Sequence, residues 1–173
     1  LSFKFLIGTY TASALLMITG INQRLMSGVV SIAGGNIEQS IVKYSSDYVI
    51  SRYGSVNRMD FLIFTTFWVL LGFALKKKFL NRDSFYEWLL KSYIGLSTVY
   101  VLFGFIGYSD RLAAYSWFLI PIILFYPTIK IKSRYRVLWV ALGIAISVFM
   151  FIFFDVIDLY HAISAFFLPK RYG

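Results

Sequence analysis

Charged residues leave five long stretches of this chain untouched. Phe5 to Gln23 lies between Lys4 and Arg24, and Phe61 to Leu75 lies between Asp60 and Lys76-Lys77-Lys78. Ser92 to Ser109 follows Lys91, Leu112 to Ile129 follows Arg111, and Val137 to Phe154 follows Arg136. Uncharged apolar runs near this length predict membrane-crossing helices, because a hydrocarbon core about 30 Å thick is spanned by about 20 helical residues. The second run is short for that thickness at a rise of about 1.5 Å per residue, so its helix is expected to begin upstream near Arg58. The pattern predicts an all-α polytopic transmembrane bundle of about five helices. In the fourth run Pro121 should kink the helix, since proline removes a backbone donor and frees a carbonyl that a neighbour must cover. Pro127 marks the end of that run.

Residues 24–59 follow a different pattern. Ile37, Ile41, Tyr44 and Tyr48 recur at helical spacing, while Lys43, Ser46 and Asp47 fall off the stripe. This predicts an amphipathic helix on the extracytoplasmic side, lying along the interface or capping a cavity. A plain connecting loop with one packed surface helix would show the same stripe. Leu25 to Ala33 is apolar and ends at Gly34-Gly35, as a re-entrant or interfacial turn would.

Composition agrees with the membrane reading. Apolar residues make up 59% of the chain, against about 45–50% in globular domains, and the mean hydropathy is +0.72. Aromatics reach 20%, as expected of a chain with many boundary crossings, where Tyr and Trp gather. With no Cys and one His, His161, disulfides, thiolate metal sites and His clusters are excluded, and no metal or cofactor is expected. The net charge of +9 reports topology before it reports a partner, and no nucleic-acid partner is inferred. Lys76, Lys77, Lys78 and Arg82 form one short basic cluster, and Lys130, Lys132, Arg134 and Arg136 another. Both belong in the cytoplasm by the positive-inside rule. Alternation then puts the N-terminus inside and the C-terminus outside. The chain reads as one transmembrane domain over 1–173. Because it begins at Leu1 without an initiator Met, it is expected to be the C-terminal part of a longer protein. Residues 5–21 lack a basic n-region and a cleavage site, so they read as a span and not as a signal peptide.

Some cations break the inside rule. Arg24, Lys43, Arg52, Arg58, Arg111, Lys170 and Arg171 all map to the outer face. Either an anionic ligand is held there, since guanidinium pairs bidentately with phosphate, or the side chains are solvated and snorkelling. Arg111 opens a span directly after Asp110. A charge at that depth costs on the order of 1–3 kcal/mol unless it faces protein, water or a partner. Neighbours at i and i+1 do not face each other on a helix, so Arg111 should pair elsewhere. Asp60 opens the second span two residues after Arg58. Asp158 and His161, at i and i+3, are spaced for an acid–base pair or for a hydrated helix end. No Gly-rich phosphate loop, nucleophile elbow or metal-ligand spacing is present.

The run Ser109-Asp110-Arg111-Leu112-Ala113-Ala114-Tyr115, followed by Trp117-Phe118-Leu119-Ile120-Pro121-Ile122-Ile123-Leu124, is the most specific piece of the chain. With the upstream Lys43-Tyr44 segment it resembles the C-terminal half of the Wzy/EpsG type of bacterial polysaccharide polymerase. As an order of features the resemblance covers residues 1–160. It implies a membrane glycosyltransferase that joins oligosaccharide repeat units carried on undecaprenyl pyrophosphate, at the outer face of the bacterial cytoplasmic membrane. Its partners would be that lipid-linked oligosaccharide, membrane lipid and a chain-length regulator protein. Arginine would stabilise the leaving pyrophosphate and a carboxylate or His would activate the attacking hydroxyl. Arg111, Asp110 and Asp60 are then the catalytic candidates, and Arg58, Arg52, Tyr115, Tyr44 and His161 the substrate-binding ones. Only Arg111, Asp110 and Tyr115 lie in the family-like run; topology and charge select the others. The same charges would serve a transporter or flippase for a lipid-linked or anionic glycan. A membrane acyltransferase and a non-catalytic subunit are the remaining readings.

Overall fold

In the computed structural model of the chain, residues 1–25, 28, 57–107, 109–130, 135–149 and 152 are described. They are helical, with no strand among the described residues. The helices are α1 (Phe3–Thr19), α2 (Met59–Phe79), α3 (Ser84–Leu102), α4 (Ser109–Trp117), α5 (Ile120–Phe125), α6 (Pro127–Lys130) and α7 (Tyr135–Phe149). Residues Leu1–Pro127 form one compact unit, and Thr128 onward belongs to another. The expected amphipathic helix over Ile37–Tyr48, most of the 25–35 turn and the tail from Asp155 lie outside the described residues.

The second helix begins where the short apolar run required, at Met59 with Arg58 as its N-cap, and reaches Phe79. By length and composition, two helices can cross a membrane: Met59–Phe79 and the stretch Ser109–Lys130. Phe3–Thr19 and Tyr135–Phe149 are apolar but shorter. Outward faces are oily. On α2, Ile63, Phe67 and Leu70 recur at i, i+4 and i+7 and are exposed, Ile63 at 70%. The buried interior is mostly apolar too, with Leu62, Trp68, Leu89, Ile94 and Ile123 among its members, and it also encloses Ser13, Asn22, Thr65, Ser97, Ser109 and Ser116.

Helix α3 is the axis of the first unit and packs against α1, α2, α4 and α5. Asp83 caps it by accepting from Tyr86 N at 2.9 Å. Its buried stripe includes Tyr86, Tyr93 and Tyr100, each fully enclosed. Their spacing of seven keeps them on one face, and each phenol donates to a carbonyl of α2. Tyr86 Oη reaches Gly72 O at 3.4 Å, Tyr93 Oη reaches Thr65 O at 3.2 Å, and Tyr100 Oη reaches Arg58 O at 3.4 Å. The acceptors recede by seven as the donors advance by seven, so this ladder runs between antiparallel helices and fixes their register. A buried tyrosine hydroxyl needs a partner, and a shift of one residue would take all three from theirs.

The fourth expected span is interrupted. α4 ends at Trp117, Leu119 N closes a tighter turn on Ser116 O at 3.0 Å, and α5 resumes with Pro121 in its first turn. This is the break that Pro121 implied. Pro127 likewise cannot donate to Ile123 O, and the side chain that covers this orphan is Tyr86, whose hydroxyl lies 3.3 Å away. Tyr86 has one proton, so the first rung shares it between Gly72 O at 3.4 Å and the carbonyl that Pro127 leaves open, Ile123 O at 3.3 Å.

Gly72 lets α3 come close. A Cβ there would lie 2.6 Å from Leu90 Cδ1 and 3.7 Å from Ile123 Cγ2, and Leu90 is fully buried. Gly72→Val is therefore expected to destabilise the bundle by about 1–3 kcal/mol, the usual overpacking range, with Gly72→Ala milder because a leucine methyl can rotate. Thermal unfolding in detergent checks this; a Val variant as stable as the parent would show that the contact is slack.

Candidate functional site

The two ends of the first unit differ in chemistry. At one end, α1 begins, α2 stops and α3 starts. Phe3 stacks edge-on against Phe73 at 5.1 Å, with Lys76 and Lys91 Nζ 5.4 and 5.1 Å from its ring centroid. Glu87 pairs with Lys91 at 2.7 Å and Lys76 at 3.3 Å. Tyr126 Oη donates to Asp83 Oδ2 at 3.1 Å, which brings the segment after α5 to the same end. Leu1, the Lys76–Lys78 cluster and Arg82 therefore share this end.

The opposite end holds the sequence-derived candidates. Asn57, in the left-handed region at φ 52°, donates its N–H to Gly104 O at 2.7 Å. Its side-chain amide exchanges hydrogen bonds with that of Asn22, at 2.9 and 3.3 Å. Asn22 is fully buried and also reaches Leu102 O at 3.4 Å. This amide pair joins the chain beyond α1 to the start of α2 and the end of α3. It holds the polar end in place from inside.

Next to it, Arg58 forks onto Asp60, with Nε 3.2 Å from Oδ1 and Nη2 bonded to Oδ2. The guanidinium also lies 3.7 Å over the Phe61 ring. Thr65 sets the level of α4 against α2: its Oγ1 accepts from Trp117 Nε1 at 3.2 Å, and Trp117 stacks edge-on with Phe61 at 4.9 Å. Both helices run the same way from this end, so two turns back from that contact place Asp110 level with Arg58. Tyr100 Oη donates to Arg58 O at 3.4 Å at this same end. Asp110 and Arg111 are exposed at the start of α4, and Tyr115 is 63% exposed on its outer face.

The structure thus brings Arg58, Asp60 and Asp110 to one end of the first unit, with the Arg58 backbone bonded to Tyr100 and Arg111 adjacent in sequence to Asp110. Arg52, Tyr44 and His161 lie outside the described residues. Tyr115 faces away from the bundle and not toward Tyr100. An anion at this end would compete with Asp60 for the Arg58 fork, and Asp60 and Asp110 are both exposed. No group of His, Asp and Glu suited to a metal occurs among the described residues. Sequence reasoning missed Tyr100, Asn22 and Asn57. The heptad spacing of Tyr86, Tyr93 and Tyr100 was a visible signal; the asparagines left none. Compared with protein-family models, curated proteins and solved structures, the chain matches none.

Proposed function

We propose that this chain is the membrane-embedded part of a polysaccharide polymerase, acting on undecaprenyl-pyrophosphate-linked repeat units at the outer face of a bacterial cytoplasmic membrane. The observation that carries the reading is the convergence of Arg58, Asp60 and Asp110 at one end of the bundle, away from the lysine cluster that marks the other. That separation supports the topology in which the Lys76 end is cytoplasmic and the Arg58 end is not. The polymerase assignment itself rests on the resemblance of residues 109–124. In this reading α1, α2, α3, the α4–α5 stretch and α7 are five spans. α3 is too rich in tyrosine and charge to qualify by hydropathy, but α1, α2, α4 and α5 pack against it. Arginine holds the pyrophosphate of the glycan donor as its bond to the sugar breaks. Asp110 or Asp60 takes the proton of the attacking hydroxyl.

The interruption between α4 and α5 favours a second reading, since broken helices near the membrane midplane recur in transporters. A flippase for the same lipid-linked glycan would use it. Deleting the gene separates the two. A polymerase predicts that long polysaccharide disappears while single repeat units still reach the surface; a flippase predicts repeat units stranded on the inner leaflet.

The chain has no Cys, so single cysteines report topology directly. A membrane-impermeant maleimide is expected to label positions 58 and 111 in intact cells and position 77 only after lysis. The reverse pattern would remove the mechanism.

A further inference from the structure

Asn22 is fully buried, just past the point where Gly20, in the left-handed region at φ 71°, stops α1. An amide is costly to enclose without partners, and an apolar pair of the same shape would join two segments about as well. What the amide adds is direction. Asn22 Nδ2 donates to Asn57 Oδ1 at 2.9 Å, and Asn57 Nδ2 returns a bond to Asn22 Oδ1 at 3.3 Å. Two such bonds between planar groups fix both side chains. The pair is also closely packed: a Cβ on Gly104 would lie 3.2 Å from Asn57 Oδ1 and 3.2 Å from Met17 Cε.

The backbone of Asn57 is held as well. It takes a left-handed φ of 52°, which asparagine adopts more readily than most residues, and its N–H donates to Gly104 O at 2.7 Å. On the far side of the next residue, Tyr100 Oη donates to Arg58 O. Arg58 is thus flanked by a fixed residue before it and a fixed carbonyl after it. Its guanidinium lies over the Phe61 ring and in the Asp60 fork, and the side chain remains 28% exposed. A guanidinium held this way can meet an oxyanion with little reordering, which is how preorganised charge gains its effect.

We infer that Asn57 and Asn22 are positioning residues for Arg58. The reciprocal amide pair fixes where the guanidinium stands, so the end of α1 sets the affinity of Arg58 for a phosphate oxyanion. This rests on the reading of Arg58 as an anion-holding group and not on the polymerase assignment. A chain that bound pyrophosphate through Arg58, and whose deletion left surface polysaccharide unchanged, would lose the polymerase and keep the positioning role.

The full chain, purified in mild detergent, is titrated with inorganic pyrophosphate by calorimetry well below its unfolding temperature. The Nε–H signal of Arg58 is followed by NMR and assigned by its loss in Arg58→Gln. Asn57→Gly keeps the left-handed backbone and removes the amide. Asn22→Ala removes the same bonds from the α1 side without touching the backbone next to Arg58. Each is expected to weaken pyrophosphate about tenfold, as loss of an orienting hydrogen bond behind a ligand group does in metal sites. Each should also merge the Arg58 signal with those of mobile arginines. Gly72→Ala perturbs packing toward the other end and should leave affinity within about twofold and the signal in place, as distant independent sites do. Affinity and signal unchanged in both asparagine variants would overturn the positioning role. So would an equal loss in Gly72→Ala, which would mark a general effect of stability. A parent chain that does not bind pyrophosphate, or equal binding by Arg58→Gln, would overturn the anion role of Arg58 and the inference with it.

Discussion

Alanine at Arg111 or at Arg58 is expected to lower polymer formation by roughly 100- to 1,000-fold, the usual cost of losing one preorganised group that stabilises developing charge. Protein level in membranes is measured alongside, because Arg58 is half-buried over Phe61 and a lower level would account for lost polymer; Arg111 is exposed. The readout is the length ladder of surface polysaccharide in a deletion strain carrying each variant. Asp60 refines the test. Its carboxylate holds the Arg58 fork, so a pyrophosphate must displace it. If Asp60 is only a counter-ion, Asp60→Asn frees the fork and should lower KM with kcat retained. If Asp60 is the base, the same change should abolish kcat. Unaltered ladders in both arginine variants would sink the proposed mechanism, whatever Asp60 does.

The second large effect concerns the tyrosine ladder. Tyr93→Ala is expected to destabilise the bundle by about 3–5 kcal/mol, the range for deleting a large buried aromatic. Tyr93 is fully enclosed at the middle rung. Tyr93→Phe keeps the ring and loses only the bond to Thr65 O, so about 0.5–1.5 kcal/mol is expected. Thr65 also accepts from Trp117, which ties α2 to α4 at the same level. Denaturant unfolding in lipid or detergent compares the two. A Phe variant as damaged as the Ala variant would mean that the hydroxyl, and not packing, holds the register. Loss at Tyr93 should also disturb the Arg58 end, because Tyr100 one rung further contacts Arg58 O. Gly72→Val should act through the same α2–α3 contact from the other side.

Several features could be read without any coordinates. The start of α2 near Arg58 followed from the length of an apolar run against bilayer thickness, and the helix begins at Met59. The interruption of the fourth run followed from Pro121, which has no N–H to give. The Arg58–Asp60 pairing was legible as proximity at a helix start, though not as a fork that occupies both groups. Charge alternation, which depends only on loop composition, suggested that the Lys76 and Arg58 ends are opposite, and the contacts of Phe3 and Asn22 agree with it.

Tertiary structure decided what covers what. Pro127 announces an orphaned carbonyl at Ile123, but that Tyr86, far away in sequence, supplies the hydroxyl depends on where α3 passes. The meeting of Asn22 with Asn57 and the level of Asp110 against Arg58 are likewise set by how helices stack. In a uniformly apolar helix no polar face marks the inside, because lipid and protein interior are almost equally hospitable to Leu, Ile and Phe. Linear pattern therefore determined where helices begin and break. Which face of each points inward, and so which polar groups meet, was determined by close packing between helices.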